Sequence, residues 1–173
     1  MITPKLRILL GALLFTVPLD QLSKWWVDAT LPQGDRVPII EGFFYLTHAR
    51  NAGAAFGLFD QEPAETRLIS FIVVSLVAFV VIVSFFRRLA PRDRLTALAL
   101  GMILGGATGN FIDRVMRGEV IDFLQFQLWG GYRWPDFNLA DGFIIVGVSA
   151  LIFDLLASEA VTRAGEPSQS DPG

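Results

Sequence analysis

The chain has 173 residues, 53% of them hydrophobic and 18% charged, with a formal net charge of −3. That length suits one domain, the charged fraction lies below the roughly 25% usual in soluble domains, and a net negative chain offers no basic surface for nucleic acid. With no cysteine and a single histidine, His48, disulfides, thiolate catalysis and thiolate metal sites are excluded, and little is left for any other metal site.

The first apolar stretch, Ile8 to Leu19, reaches span length only by continuing through Asp20, Ser23 and Lys24 to Val27. Lys5 and Arg7 before a short apolar core have the look of a cleaved leader. The next residues, PLDQLSKWWV, offer no small residues for a cleavage point, and Trp25 and Trp26 suit a membrane interface. The segment is therefore expected to remain as a first spanning helix. The region that follows contains RVPIIEGFFYLTHARNAGAAFGLF, short apolar runs broken by Gly and Pro, which predicts strands and turns.

Leu68 to Phe86 is uncharged and matches the ~30 Å hydrocarbon core, and Leu95 to Ile112 is a third such run, with Asn110 its notable polar side chain. The link between them holds Arg87, Arg88, Arg92 and Arg94, which with Lys5 and Arg7 places link and N-terminus in the cytoplasm by the positive-inside rule. On span 3, Gly101, Gly105 and Gly109 form a GxxxGxxxG ridge suited to close helix packing. VIDFLQFQLWGGYRWPDFNLAD is again strand-like, with Trp129, Tyr132 and Trp134 fit for the headgroup layer. A fourth span runs from Leu139 to Ala157, and the Pro-, Ser- and Gly-rich tail is expected to be disordered. The predicted fold is an all-α membrane protein: four transmembrane helices with a small β-rich extracytoplasmic cap. Residues 1–160 form the domain and 161–173 a cytoplasmic tail.

Polar groups at the membrane are expensive and informative. Asp20 and Lys24 stand i, i+4 in the order that favours pairing. They suit a structural ion pair with Lys24 reaching outward to the interface, or contact with a reaction centre. Asn110, Asp113 and Arg114 cluster at the outer end of span 3. Asp122, in the apolar VIDFL, has no obvious structural use, and Asp141 stands where span 4 enters the bilayer. Two carboxylates brought together there would share one proton, as amide hydrolysis requires; a proton relay or ion site is the alternative. Asp154, 13 residues on from Asp141, belongs near the opposite end, roughly 20 Å away along a helix. A serine–lysine peptidase from Ser23 and Lys24 conflicts with their adjacency on a helix. A transporter would place carboxylates mid-span, and a scaffold leaves Asp122 without a use.

Taken in order, DQLSK (Asp20 to Lys24), NAGAAFG (Asn51 to Gly57), GGATGNFIDR (Gly105 to Arg114), VIDF (Val120 to Phe123) and FNLAD (Phe137 to Asp141) resemble the lipoprotein signal peptidases, signal peptidase II. The match covers nearly the whole chain. The resemblance implies an aspartic endopeptidase of the bacterial inner membrane, with a small periplasmic β-cradle and a short helix lying on the membrane. It implies Asp122 and Asp141 as the catalytic dyad. Supporting or substrate-binding positions are Asp20, Lys24, Asn51, Gly105, Asn110, Asp113, Arg114, Asn138 and Ala140. It also implies no metal or organic cofactor, a diacylglyceryl-modified prolipoprotein as substrate cut before its lipidated cysteine, membrane lipids as surroundings, and a monomer. One departure is Gly142, where family members commonly have serine.

Overall fold

The computed structural model describes residues 2–53 and 63–165, with side chains to residue 160. Four helices are long and apolar enough to cross a membrane: α1 (Pro4–Thr30), α2 (Ala64–Arg88), α3 (Arg94–Arg117) and α4 (Leu139–Gly165, its apolar span ending at Ala160). Each runs past the apolar run that predicts it, because the flanking turns carry interface and charged residues yet keep helical hydrogen bonding. α4 continues five residues into the segment expected as a tail; residues 166–173 lie outside the described residues. Pro18 sits inside α1, a position tolerated in spanning helices where neighbours re-satisfy the freed backbone groups.

α3 is the central helix because its glycines leave no side chain in the way. A Cβ on Gly101 would stand 2.7 Å from Ala12 Cβ, one on Gly105 1.8 Å from Thr16 Oγ1, and one on Gly109 2.4 Å from Asp20 Oδ2. The GxxxGxxxG ridge is thus the α1 packing face, as its spacing predicts. A second face receives α4: a Cβ on Gly106 would meet the Ala140 carbonyl at 2.3 Å, and one on Gly147 of α4 would meet the Ala99 carbonyl at 2.7 Å. α2 packs on α3 and is otherwise exposed, Ile82 being its one buried residue, which suits a helix whose remaining faces meet lipid. Lys5 donates to the carbonyls of Phe86 (3.1 Å) and Leu89 (2.6 Å), so the start of α1 and the end of α2 share one end of the bundle.

At the other end lies an antiparallel sheet, β1 (Arg36–Ile40), β2 (Phe44–Asn51) and β3 (Val120–Phe126), in that order. The strands fall within the two segments expected to form them; residues 54–62, including the second half of NAGAAFG, lie outside the described residues. Among the described residues, the one helical element beyond the four long helices is the 3-10 turn Trp129–Gly131. Alternation on β3 turns Ile121 and Phe123 toward Val27 of α1 and leaves Asp122 on the opposite face. The sheet is thereby anchored on the helix ends, with one carboxylate projecting away from the anchor.

Candidate active site

Asp122 projects from β3 into a cavity of about 750 Å³ whose walls also carry Asn51, Asn110, Arg114 and Asp141. It is 3% exposed. On the antiparallel ladder Asp122 faces Ala49 and Val120 faces Asn51, so Asn51 and Asp122 are diagonal neighbours on one face. The Asn51 amide donates to Asp122 Oδ2 at 2.9 Å, and the Gly53 N–H, donating to Asn51 Oδ1 at 3.1 Å, fixes which end of that amide faces the acid. The other oxygen, Oδ1, accepts from Asn138 Nδ2 at 2.6 Å. Burial raises the Asp122 pKa. The Asn51 bond opposes that rise, the Asp141 charge adds to it, and the Asn138 bond and Lys24 also oppose it, leaving the carboxyl at about 7.

Asp141 is positioned by the start of α4. Its N–H donates to Asn138 Oδ1 at 3.1 Å, and the Asn138 N–H donates back to Asp141 Oδ2 at 3.3 Å. This is the reciprocal pattern of a capping box, with Asn138 as the cap. Asp141 Oδ1 accepts from Asn110 Nδ2 at 2.8 Å. Asn138 also donates to Asn110 Oδ1 at 3.2 Å, so the two carboxylates are joined through two amides. Arg114, on the same cavity, donates to Asn110 O and Gly53 O, both at 3.3 Å, and lies over the Phe71 ring at 4.0 Å.

Beneath the cavity lies a fully buried charge cluster. Lys24 Nζ is 2.8 Å from Asp20 Oδ2, 3.0 Å from Asp113 Oδ2 and 2.8 Å from Asn110 Oδ1. Lys24 therefore does not reach outward to the interface; the inward carboxylates hold it, since an unpaired ammonium at this depth costs several kcal/mol. The structural ion pair expected at i, i+4 is present and is extended by Asp113, Arg117 and Gln21, the last spanning Asp20, Asp113 and the Gly109 carbonyl. Asp20 Oδ1 accepts the Ala140 N–H at 2.9 Å, tying α1 to the first turn of α4 just before Asp141. Ser23 donates to its own helix at Asp20 O, so Ser23 and Lys24 form no dyad.

Of the positions singled out in the sequence, Asp122, Asp141, Asn51, Asn110, Arg114 and Asn138 meet around the cavity. Asp20, Lys24 and Asp113 sit behind it, and Ala140, wholly buried, fills the space beside Gly109. Gly105 lies apart, against Thr16 in the helix contact. Asp154 accepts from Thr96 at 2.7 Å, at the start of α3 and so at the far end of the bundle. Sequence reasoning passed over Gln21, Arg117 and the cavity residue Arg67 as site residues, and gave Trp134, which also lines the cavity, to the headgroup layer. A glutamine between two charges inside an apolar helix was the signal for the first; the others have none.

The family model for signal peptidase (SPase) II matches residues 12–157. The chain belongs to the signal peptidase II family. It is 42% identical over 145 residues to the lipoprotein signal peptidase of Bacillus pumilus (strain SAFR-032), covering 84% of this chain and 90% of that protein. To the lipoprotein signal peptidase of Geobacter sulfurreducens it is 44% identical over 156 residues, covering 90% and 96%. Two solved bacterial membrane enzymes, determined by the in meso method at 2.3 Å and 1.9 Å resolution, superpose with TM-scores of 0.79 and 0.78 at 31% and 32% identity. They cover 94% and 90% of this chain and 94% and 97% of their own. Members of the signal peptidase II family are proteases, and this chain is a multi-pass membrane protein of that family.

Proposed function

We propose that the chain is an aspartic endopeptidase of the bacterial inner membrane that removes signal peptides from diacylglyceryl-modified prolipoproteins, cutting before the lipidated cysteine. The observation that carries this reading is the pair Asp122 and Asp141 on one cavity at the end of the bundle, joined through Asn138 and Asn110. Amide hydrolysis needs one group to take a proton from water and one to give a proton to the substrate. A carboxyl held near neutrality, as Asp122 is, beside a second carboxylate supplies both. Water is the nucleophile, and the chemistry asks for no metal or organic cofactor.

The apolar signal segment and the two acyl chains of such a substrate both favour the bilayer, so its scissile bond is presented at the membrane surface. In this reading the cavity, between the sheet and the ends of α3 and α4, stands at that level. The arginine-rich α2–α3 link and the N-terminus share the opposite end, which supports cytoplasmic termini and a periplasmic active site. In this reading residues 1–160 are one peptidase domain acting as a monomer, and 161–173 a cytoplasmic tail.

Replacing each acid by its amide tests the assignment. Asp122→Asn and Asp141→Asn should each abolish cleavage of a lipid-modified prolipoprotein while membrane insertion and substrate binding persist. The double variant should be scarcely worse than either single, because the pair acts as one unit. Asp154→Asn, at the far end, should stay active. Substantial turnover by either dyad variant would move the reaction centre elsewhere.

A further inference from the structure

Lys24 has three N–H donors and no acceptor, and Asp20, Asp113 and Asn110 Oδ1 take one each. An ammonium can face only the oxygen of the Asn110 amide, so the NH2 of that amide is turned to Asp141 Oδ1. The same Asn110 oxygen receives Asn138 Nδ2, so both contacts on it demand one orientation. Asp141 is further served by the capping box at the positive end of α4 and is only half-buried. Asp122 lies on a strand and is buried, its oxygens taken by the side-chain amides of Asn51 and Asn138. Burial therefore makes ionisation costly at Asp122.

We propose that Lys24 is a positioning residue acting through Asn110, which it locks with its N–H2 on Asp141, holding Asp141 as the ionised base while Asp122 keeps the proton of the pair. This rests on the peptidase reading above. In the first half of the reaction a water proton passes to Asp141 as the water oxygen bonds to the carbonyl carbon, and the Asp122 proton passes to the carbonyl oxygen. In the second, the proton on Asp141 moves to the amide nitrogen as the C–N bond breaks. A hydroxyl of the collapsing intermediate then returns a proton to Asp122. The other charged groups about the pair are Arg67 from α2, Arg114 from α3, and Arg50 and Asp136 from the cap, with Asp20 and Asp113 paired to Lys24 and Asp113 also to Arg117. Arg67 and Arg114 are cations on the wall that both acids share; Asp136 is engaged by Thr47 and Gln125, and Arg50 by Asp28.

Two measurements on the purified full chain test this. Infrared titration of the neutral carboxyl band needs no substrate. The band that titrates near neutral pH should vanish in Asp122→Asn and persist in Asp141→Asn; the reverse pattern overturns the assignment. For the wiring, Asn110→Asp keeps an oxygen for Lys24 and the size of the side chain but cannot donate to Asp141. Its kcat on lipid-modified prolipoprotein should fall about 100-fold, the scale of a mispositioned general base, with KM unchanged. The acid limb of its pH profile should move upward. Lys24→Gln, which no longer dictates the amide, should shift the same limb the same way if it folds. Wild-type kcat in Asn110→Asp, or a fall with no movement of the limb, means that the residue is merely structural. If the wild type cleaves no prolipoprotein at all, the peptidase reading fails, and the infrared result still decides which acid holds the proton.

Discussion

Asp122 acquires its chemistry from its place on β3: a carboxyl on the free face of a buried strand, with two amides aimed at it and another carboxylate on the same cavity. Its pKa of about 7 in the fold, against the ordinary 3.8, makes a statement about stability. Below about pH 4 both folded and unfolded chains hold the proton, and the stabilising contribution is fully present. Between there and about 7 only the folded state holds it, so stability falls as pH rises through that window and the contribution is gone above it. Thermal unfolding in detergent micelles should therefore show wild type losing stability from pH 5 to pH 8, and Asp122→Asn losing less over the same range. Parallel slopes for the two would mean that Asp122 ionises in the fold as easily as in water.

At the scale of elements, the glycines of α3 decide how close the helices come, and so where the aspartates stand. Gly106 touches the backbone carbonyl of Ala140, one residue before Asp141. A methyl group there must push the start of α4 aside, because backbone cannot rotate out of the way. Gly106→Ala should cost about 1–3 kcal/mol, the usual range for overpacking, and should lower cleavage as well by displacing Asp141. A Cβ added at Gly142, next to Asp141, would meet nothing within 4 Å. Gly142→Ser should therefore leave both fold and turnover intact. Equal tolerance at both positions, read by unfolding in micelles and by turnover, would contradict the packing account.

The same elements mark how much the sequence discloses. Apolar runs located all four helices, uncharged ones for α2 and α3 and ones carrying charges for α1 and α4, and Gly- and Pro-broken apolar runs located the strands, because both patterns are local. The ridge of Gly101, Gly105 and Gly109 was legible as spacing. Gly106, which serves α4, was not, since its partner lies on another helix. The inward course of Lys24 could not be read either: its i, i+4 pairing with Asp20 is local, but Asp113 and Asn110 reach it only through the α1–α3 contact. Asp122 and Asp141 stood out singly as misplaced acids. Their shared cavity depends on where β3 crosses the helix ends; the residues alone left a hydrolytic pair beside a proton relay or ion site, and the family resemblance singled out the pair.

For the whole molecule, a lipid-facing bundle carries a polar cavity at one end and a cluster of arginines at the other. Reporter fusions after Arg92 and after Ser168 should read cytoplasm, and one near Gly131 the outer side. A cytoplasmic reading at Gly131 would put Asp122 in the wrong compartment. The account as a whole stands on substrate choice at that outer face. The most direct measurement mixes the purified protein with one prolipoprotein in two forms, with and without the diacylglyceryl group on its cysteine, and follows cleavage by the mass of the products. The account predicts a cut immediately before the cysteine in the modified form and none in the unmodified form. Cleavage of both alike, or of neither, would contradict it.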